Sequence, residues 1–165
     1  MSNDAALKVI WNYDLAVIGE RVREEYPSLR LRYAAYELEL RKFFGLLVGQ
    51  SIPIAMISPR IDAIWHTFLL FTPMYRDFCE QAFGFYVDHL PRTGATPIPE
   101  DAIWNFFDAY TNQYGDVCEE WFHDLPLSTI AALRNREMPK NLRWSGWIPN
   151  RASTRPSCGP WFRPV

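Results

Sequence analysis

The stretch SPRIDAIWHTFLLFTPMYRDFCEQAFG, residues 58–84, contains two helix starts in succession. Ser58-Pro59 and Thr72-Pro73 each place a hydroxyl that can cap a helix before a proline at the first helical position. Apolar side chains follow each start at the spacing of one helical face. The sequence therefore predicts two helices, over about 59–71 and 73–83, joined by a tight turn.

The same spacing predicts further helices on both sides of this pair. They are a first helix from Asn3 or Asp4 to about Tyr26, a second over roughly 28–48 capped by Ser28, a fifth over about 99–114, and shorter helical turns at 117–123 and 128–136. Asp14 falls inside the apolar stripe of the first helix, an unusual place for an acid. No alternating run is typical of a strand, and 50–57 form an extended link. We predict an all-α fold, a compact single-domain array of about five to seven short helices.

The C-terminal segment differs in composition from the rest of the chain. Residues 138–165 contain five basic residues, five prolines, three tryptophans and no acid. The prolines exclude a long helix, and the tryptophans need apolar cover. We expect a helical domain over 1–137, with 138–165 as an extended basic aromatic tail packed on it.

Charge and composition narrow the functional classes. The formal net charge of −2 gives no strong attraction to nucleic acid, and no apolar run reaches the ~18 residues of a membrane span. The three cysteines form neither a CxxC pair nor a disulfide framework, which is typical of a reducing compartment. We expect a cytoplasmic protein with a small-molecule or peptide partner, and no nucleic-acid or membrane partner.

Metal-ligand chemistry is concentrated between residues 62 and 89. Asp62 and His66 are spaced to share one helix face, and Tyr75 and Cys79 repeat that spacing on the next helix. His89 follows a short link and can fold back onto them. Together these five residues form a candidate site for a divalent metal, with zinc or iron the metals that this ligand set suits.

Other interpretations of these polar residues remain open. The Asp/His/Tyr cluster, with Asp62, the histidines and Tyr75, can instead form a structural lock, meaning a polar cluster that only holds the third and fourth helices together. Glu119 and Glu120 with His123 supply one Glu-x-x-His motif, whereas di-iron bundles use two. Cys79 or Cys118 beside a histidine could act as a nucleophile. Two functions follow: a metal-dependent protein, with catalysis left open, or a non-catalytic module that binds a protein or peptide.

Residues 40–122 also carry a family resemblance. The relevant residues are Ser58, Ile61-Asp62, Trp65-His66, Thr72, Tyr75, Phe78-Cys79, Phe83-Gly84, His89 and Pro91, followed by Phe107, Tyr110, Tyr114-Gly115 and Trp121. With these residues the chain resembles the bacterial branch of the glycine-rich domain-containing protein-like family. The resemblance implies no particular reaction, because the members are mostly uncharacterised. The tail departs from that family, having Pro, Trp and Arg in place of a glycine-rich run.

Overall fold

The computed structural model describes residues 2–91, 98–140 and 142–149. Helices dominate these residues. The α-helices are α1 (Asn3–Asn12), α2 (Ala16–Glu25), α3 (Tyr33–Leu47), α4 (Pro59–Leu70), α5 (Thr72–Phe83), α6 (Asp101–Tyr114) and α7 (Leu127–Arg134). Two 3-10 turns are Pro27–Arg32 and Glu119–Trp121. The strands are β1 (Ile54–Met56), β2 (Leu90–Pro91) and β3 (Ser145–Trp147). The prediction of a mostly helical compact domain is confirmed. Within the described ranges, no helix is both long enough and apolar enough to cross a membrane.

Aromatic side chains from α3, α4 and α5 form the centre of the core. Trp65 on α4 is fully buried, and its ring centroid lies 5.2 Å from that of Phe43 and 5.5 Å from that of Phe44 on α3. Phe44 in turn packs 5.0 Å from Phe78 on α5. Large rings at these separations bury much apolar area and restrict one another's orientation. The helix that carries Asp62 is thereby fixed against two neighbours.

The ends of α4 and α5 follow the predicted chemistry in part. The Ser58 hydroxyl accepts a hydrogen bond from the Ile61 N–H at 3.4 Å, so it caps α4 as predicted. Gly84 ends α5 with φ of 75°, a left-handed conformation that glycine adopts without strain. The prediction for Thr72 is wrong, because α5 already begins at Thr72 and its capping position, Phe71, offers no side-chain acceptor.

The predicted first helix is divided in two. The Asp14 carboxylate accepts a hydrogen bond from the Ala16 N–H at 2.9 Å, a local turn that competes with a continuous helix. Arg41 stabilises the break, since its guanidinium donates to the carbonyls of Ile10 at 2.6 Å and Tyr13 at 2.9 Å. These bonds satisfy acceptors that the end of α1 leaves open. Asp14 is an exposed acid at a helix boundary.

The start of the second predicted helix also differs. Pro27–Arg32 form a 3-10 turn, and α3 begins only at Tyr33, so Ser28 does not cap an α-helix. Arg32 at the end of this turn pairs with Glu119 at 2.8 Å. That ion pair ties the turn to the second 3-10 turn of the chain.

The expectation that the chain has no strands is wrong. A three-stranded antiparallel sheet has the order β1-β3-β2, so the strand from the tail lies between the other two. Gly146 in β3 faces Ala55 in β1, and a Cβ at this position would lie 3.1 Å from the Ala55 Cα and closer still to the Ile54 carbonyl oxygen. Only glycine permits this close approach of the two backbones.

The described part of the tail packs on the domain. Trp144 and Trp147 are 9% and 2% exposed, and the Trp147 ring stacks at 6.3 Å on Phe85, which follows α5. Trp161 lies outside the described residues. The division of the chain into 1–137 and 138–165 stays a prediction, and these contacts support docking of its first part.

Candidate metal centre

Asp62 and His66 lie one turn apart on the same edge of α4. The His66 Nε2 is 3.4 Å from the Asp62 Oδ2. The Asp62 side chain is 22% exposed and that of His66 55%, so the pair faces an open surface and not the core. The capped and proline-fixed start of α4, four residues before Asp62, determines the position of this turn.

His89 is brought to the same carboxylate by the sheet. It directly precedes β2, and the pairing of β2 with β3 turns the chain back toward α4. Its Nε2 lies 2.7 Å from the Asp62 Oδ1, and its side chain is only 5% exposed. The ring packs edge-on against both Trp65 and His66, with centroid separations of 4.4 Å in each case. His89 is therefore the buried and His66 the solvent-facing histidine of the group.

Ser145 is a fourth member of the group, and sequence reasoning missed it. Its hydroxyl donates a hydrogen bond of 2.7 Å to the Asp62 Oδ1, the oxygen that also contacts His89. Ser145 belongs to β3, and a serine in a proline-rich tail carries no sequence signal of a role at a distant helix. Only the strand pairing, which the sequence did not predict, places it there.

The three candidate ligands are close enough to share one ion. The ligand atoms of Asp62, His66 and His89 all lie within 4.8 Å of one another. Two atoms bound at about 2.1 Å to a tetrahedral metal are roughly 3.4 Å apart, which equals the His66–Asp62 separation. The His66 distance is to the Asp62 Oδ2 and the 2.7 Å distance from His89 is to Oδ1, so binding one ion requires the side chains to move from these hydrogen-bonded positions. Within the described ranges this is the one group of His, Cys, Asp and Glu side chains with such geometry.

Tyr75 and Cys79, the other two predicted ligands, are buried in the core. The Tyr75 hydroxyl accepts from the Trp65 Nε1 at 3.0 Å and donates to the Val87 carbonyl at 2.6 Å. Cys79 is 1% exposed, and burial raises the pKa of its thiol to about 11. Cys79 is not part of the close group, and the Tyr75 oxygen is occupied by two other bonds. We therefore leave both residues out of the proposed ligand set. Tyr75 instead accepts a hydrogen bond from Trp65, the residue against which His89 packs.

The candidate ligands lie along a groove of about 660 Å³. Its lining residues are Met56, Ile57, Ser58, Pro59, Asp62, His66, His89, Pro91, Leu142, Arg143, Trp144 and Ser145. The walls are mainly apolar, and the side chains of Asp62, His66, His89 and Ser145 converge at one place. This combination, in a cavity of this size, is typical of small-molecule sites.

The Glu119–Glu120–His123 segment does not assemble a comparable centre. The His123 Nε2 lies 3.0 Å from the Arg32 guanidinium, and its Nδ1 lies 2.8 Å from the Tyr36 hydroxyl. Glu119 pairs with the same arginine, which lowers the pKa of that carboxyl. A guanidinium in the middle of the cluster would repel a cation. Nothing in this arrangement favours the di-iron interpretation.

Cys118 is also unsuited to nucleophilic catalysis. Burial, together with hydrogen bonding to Glu120, raises the pKa of its thiol to about 12. The thiolate is the reactive form, and it is scarce near neutral pH at such a pKa. The Tyr110 hydroxyl lies 3.8 Å from its Sγ.

The chain belongs to the UCP032817-like family, whose model matches residues 5–100, more than half of the chain. This match overturns the resemblance to the glycine-rich domain-containing protein-like family, and the family name indicates no activity. The matched segment includes Asp62, His66 and His89, whereas Ser145 lies beyond it. No curated protein and no solved structure matches the chain.

Proposed function

We propose that this protein binds one divalent transition metal through Asp62, His66 and His89 and presents it to a small molecule in the adjoining groove. The observation that carries the proposal is the convergence of these three ligand atoms within 4.8 Å at a groove of about 660 Å³. Convergence of this kind is not needed for packing, because His66 is largely solvent-exposed.

The number of ligands favours a reactive over a structural site. Structural zinc sites usually have four protein ligands, whereas catalytic sites keep a position for water or substrate. Three protein ligands would leave at least one coordination position for water or for a molecule bound in the groove. A metal at that point can polarise a bound carbonyl or lower the pKa of a bound water, so the arrangement suits a metal-dependent enzyme.

The donor types favour zinc or iron. Two imidazoles and one carboxylate suit both Zn²⁺ and Fe²⁺, and this set with open positions is typical of non-haem iron sites as well as of zinc hydrolases. A thiolate would have selected zinc, but the raised pKa of Cys79 and its separation from the group remove that argument. We expect Zn²⁺ and Fe²⁺ to compete for the same three ligands.

A specific observation also supports the structural lock. The Asp62 Oδ1 accepts a 2.7 Å bond from Ser145 and lies 2.7 Å from the His89 Nε2, so one carboxylate oxygen joins α4, β3 and the residue before β2. Those contacts would stabilise the fold without any metal. In that case the protein would be a non-catalytic module and the groove would take a peptide.

Asp62→Asn separates these two functions. The amide keeps a carbonyl oxygen that can accept from Ser145, but it is a poor ligand for a divalent metal. We expect the metal-free variant to fold with a melting temperature within a few degrees of the metal-free wild type. Added Zn²⁺ should raise the melting temperature of the wild type and leave that of the variant unchanged, because only a ligand that binds the native state stabilises it. Equal responses of the two proteins would favour the lock.

A further inference from the structure

The groove beside the candidate metal centre has few charged residues in its described lining. Among the lining residues that the structure describes, only Asp62 and Arg143 carry a formal charge when the histidines are neutral. A divalent ion on Asp62 would therefore leave the site with an excess of two positive charges. Such an excess in a mainly apolar groove favours an anionic occupant.

Arg143 is available to that occupant. Its side chain is exposed at the groove, and no acid pairs with it among the residues that the structure describes. The neighbouring tail residues Leu142 and Trp144 are both buried and line the same groove, so the backbone that carries Arg143 is anchored on either side. The planar fork of a guanidinium matches the geometry of a carboxylate.

The rest of the lining determines the body of the ligand. Met56, Pro91, Leu142 and Trp144 form apolar walls, and no lysine is among the described residues of the lining. A phosphate site would ordinarily add lysines or a run of backbone N–H groups. One guanidinium beside a metal and an apolar wall is better matched to a single carboxylate on a hydrophobic body.

We propose that the groove binds small apolar monocarboxylates, with the carboxylate recognised by Arg143 and the metal and the hydrophobic body placed along Met56, Leu142 and Trp144. This inference rests on the proposed metal site, because without the metal the charges of Asp62 and Arg143 cancel. It assigns the ligand class of the site and gives the basic, aromatic tail a recognition role.

The test uses 4-phenylbutanoate and its uncharged counterpart 4-phenylbutan-1-ol as probes. Binding is followed by calorimetric titration of the full chain loaded with one Zn²⁺, and zinc content is measured on each sample. The variants are Arg143→Gln, which removes the charge at an exposed position, and Arg143→Lys, which keeps the charge but loses the planar fork. Circular dichroism confirms that each variant is folded.

We expect the carboxylate to bind the zinc-loaded wild type at least about tenfold more tightly than the alcohol, as a charge-assisted hydrogen bond predicts. Arg143→Gln should lose about tenfold in carboxylate affinity, with its zinc content unchanged. The carboxylate affinity of Arg143→Lys should lie between those of the wild type and Arg143→Gln. Equal binding of both probes, or no binding to protein shown to hold zinc, overturns the inference while the metal site stands. Wild type that takes up no zinc overturns both.

Discussion

The Ser145 hydroxyl on β3 donates a 2.7 Å hydrogen bond to the Asp62 carboxylate on α4, across 83 positions of sequence. The bond links the tail strand to the helix that carries two of the three candidate ligands. It also occupies one lone pair of Oδ1 and restricts rotation of the carboxylate, which is how outer hydrogen bonds orient metal ligands. The geometry of the centre therefore depends on the docking of the tail.

Removing this bond should weaken metal binding without unfolding the protein. We expect Ser145→Ala to lower Zn²⁺ affinity by about 10–100-fold, the usual effect of losing a partner of a ligand. Competition with a chromogenic chelator measures the affinity. Ser51→Ala is the control, because Ser51 is an exposed serine in the link before β1. Equal affinities in the two variants would show that Ser145 has no positioning role.

Trp65 should be the most costly single residue of α4 to remove. It is fully buried, packs on Phe43, Phe44 and His89, and donates to the Tyr75 hydroxyl. Trp65→Ala should lower the free energy of unfolding by about 3–5 kcal/mol. Urea denaturation measures the change.

The matched control for this substitution is Trp11→Ala, since Trp11 is 38% exposed on α1. We expect it to cost much less, about 1 kcal/mol or below. A Trp65 variant that is no less stable than the Trp11 variant would mean that the aromatic centre of the core is wrongly described.

Gly146 should tolerate no side chain. A methyl group there meets the backbone of β1, at Ile54 and Ala55, and not a flexible side chain that can move away. Gly146→Ala should therefore cost about 1–3 kcal/mol and displace Ser145 from Asp62, lowering Zn²⁺ affinity as well. Thermal unfolding and the chelator competition measure the two effects.

Arg143→Gln is a suitable control for the Gly146 substitution, because the residue is exposed three positions before it. Its melting temperature should match that of the wild type. If Gly146→Ala also melted like the wild type, the central position of β3 in the sheet would be contradicted.

Alkaline pH should destabilise the fold through the buried thiol of Cys79. Burial raises the pKa of Cys79 from 9.0 to about 11, so the folded state holds this proton more tightly than the unfolded state does. The resulting stability is complete below about pH 9 and is lost as the pH rises through 11. The free energy of unfolding should fall by roughly 2 kcal/mol by pH 11 from this group. In Cys79→Ala the fall between pH 8 and pH 11 should be smaller by that amount, and an identical pH profile would refute the assignment.

Local signals predicted the helices well where the chain has explicit start and stop residues. Ser58 and Gly84 mark α4 and α5 because their own conformations determine the helix ends. The break at Asp14 was missed because the apolar spacing continues across it, while the deciding contacts come from Arg41, 27 residues later. The strands were missed because each has two or three residues, too few to show alternation.

The sequence predicted only those residues of the candidate site that are joined by helical spacing or by a short link. Asp62 and His66 follow from one turn of α4, and His89 from a short link that returns to the same region. Tyr75 and Cys79 have the same one-turn spacing, yet their helix face is turned to the core. Ser145 and the groove wall from the tail depend on long-range strand pairing, which no local pattern encodes.

The metal content of the purified protein tests the central claim most directly. We expect wild type dialysed against buffer with excess Zn²⁺, and then freed of unbound metal, to retain one zinc per chain by elemental analysis. His66→Ala should retain none, although the loss of a half-exposed side chain should barely change the melting temperature of the metal-free protein. His123→Ala, which alters a histidine outside the group, should retain one. A wild type without zinc, or a His66→Ala variant with as much zinc as the wild type, would contradict the account.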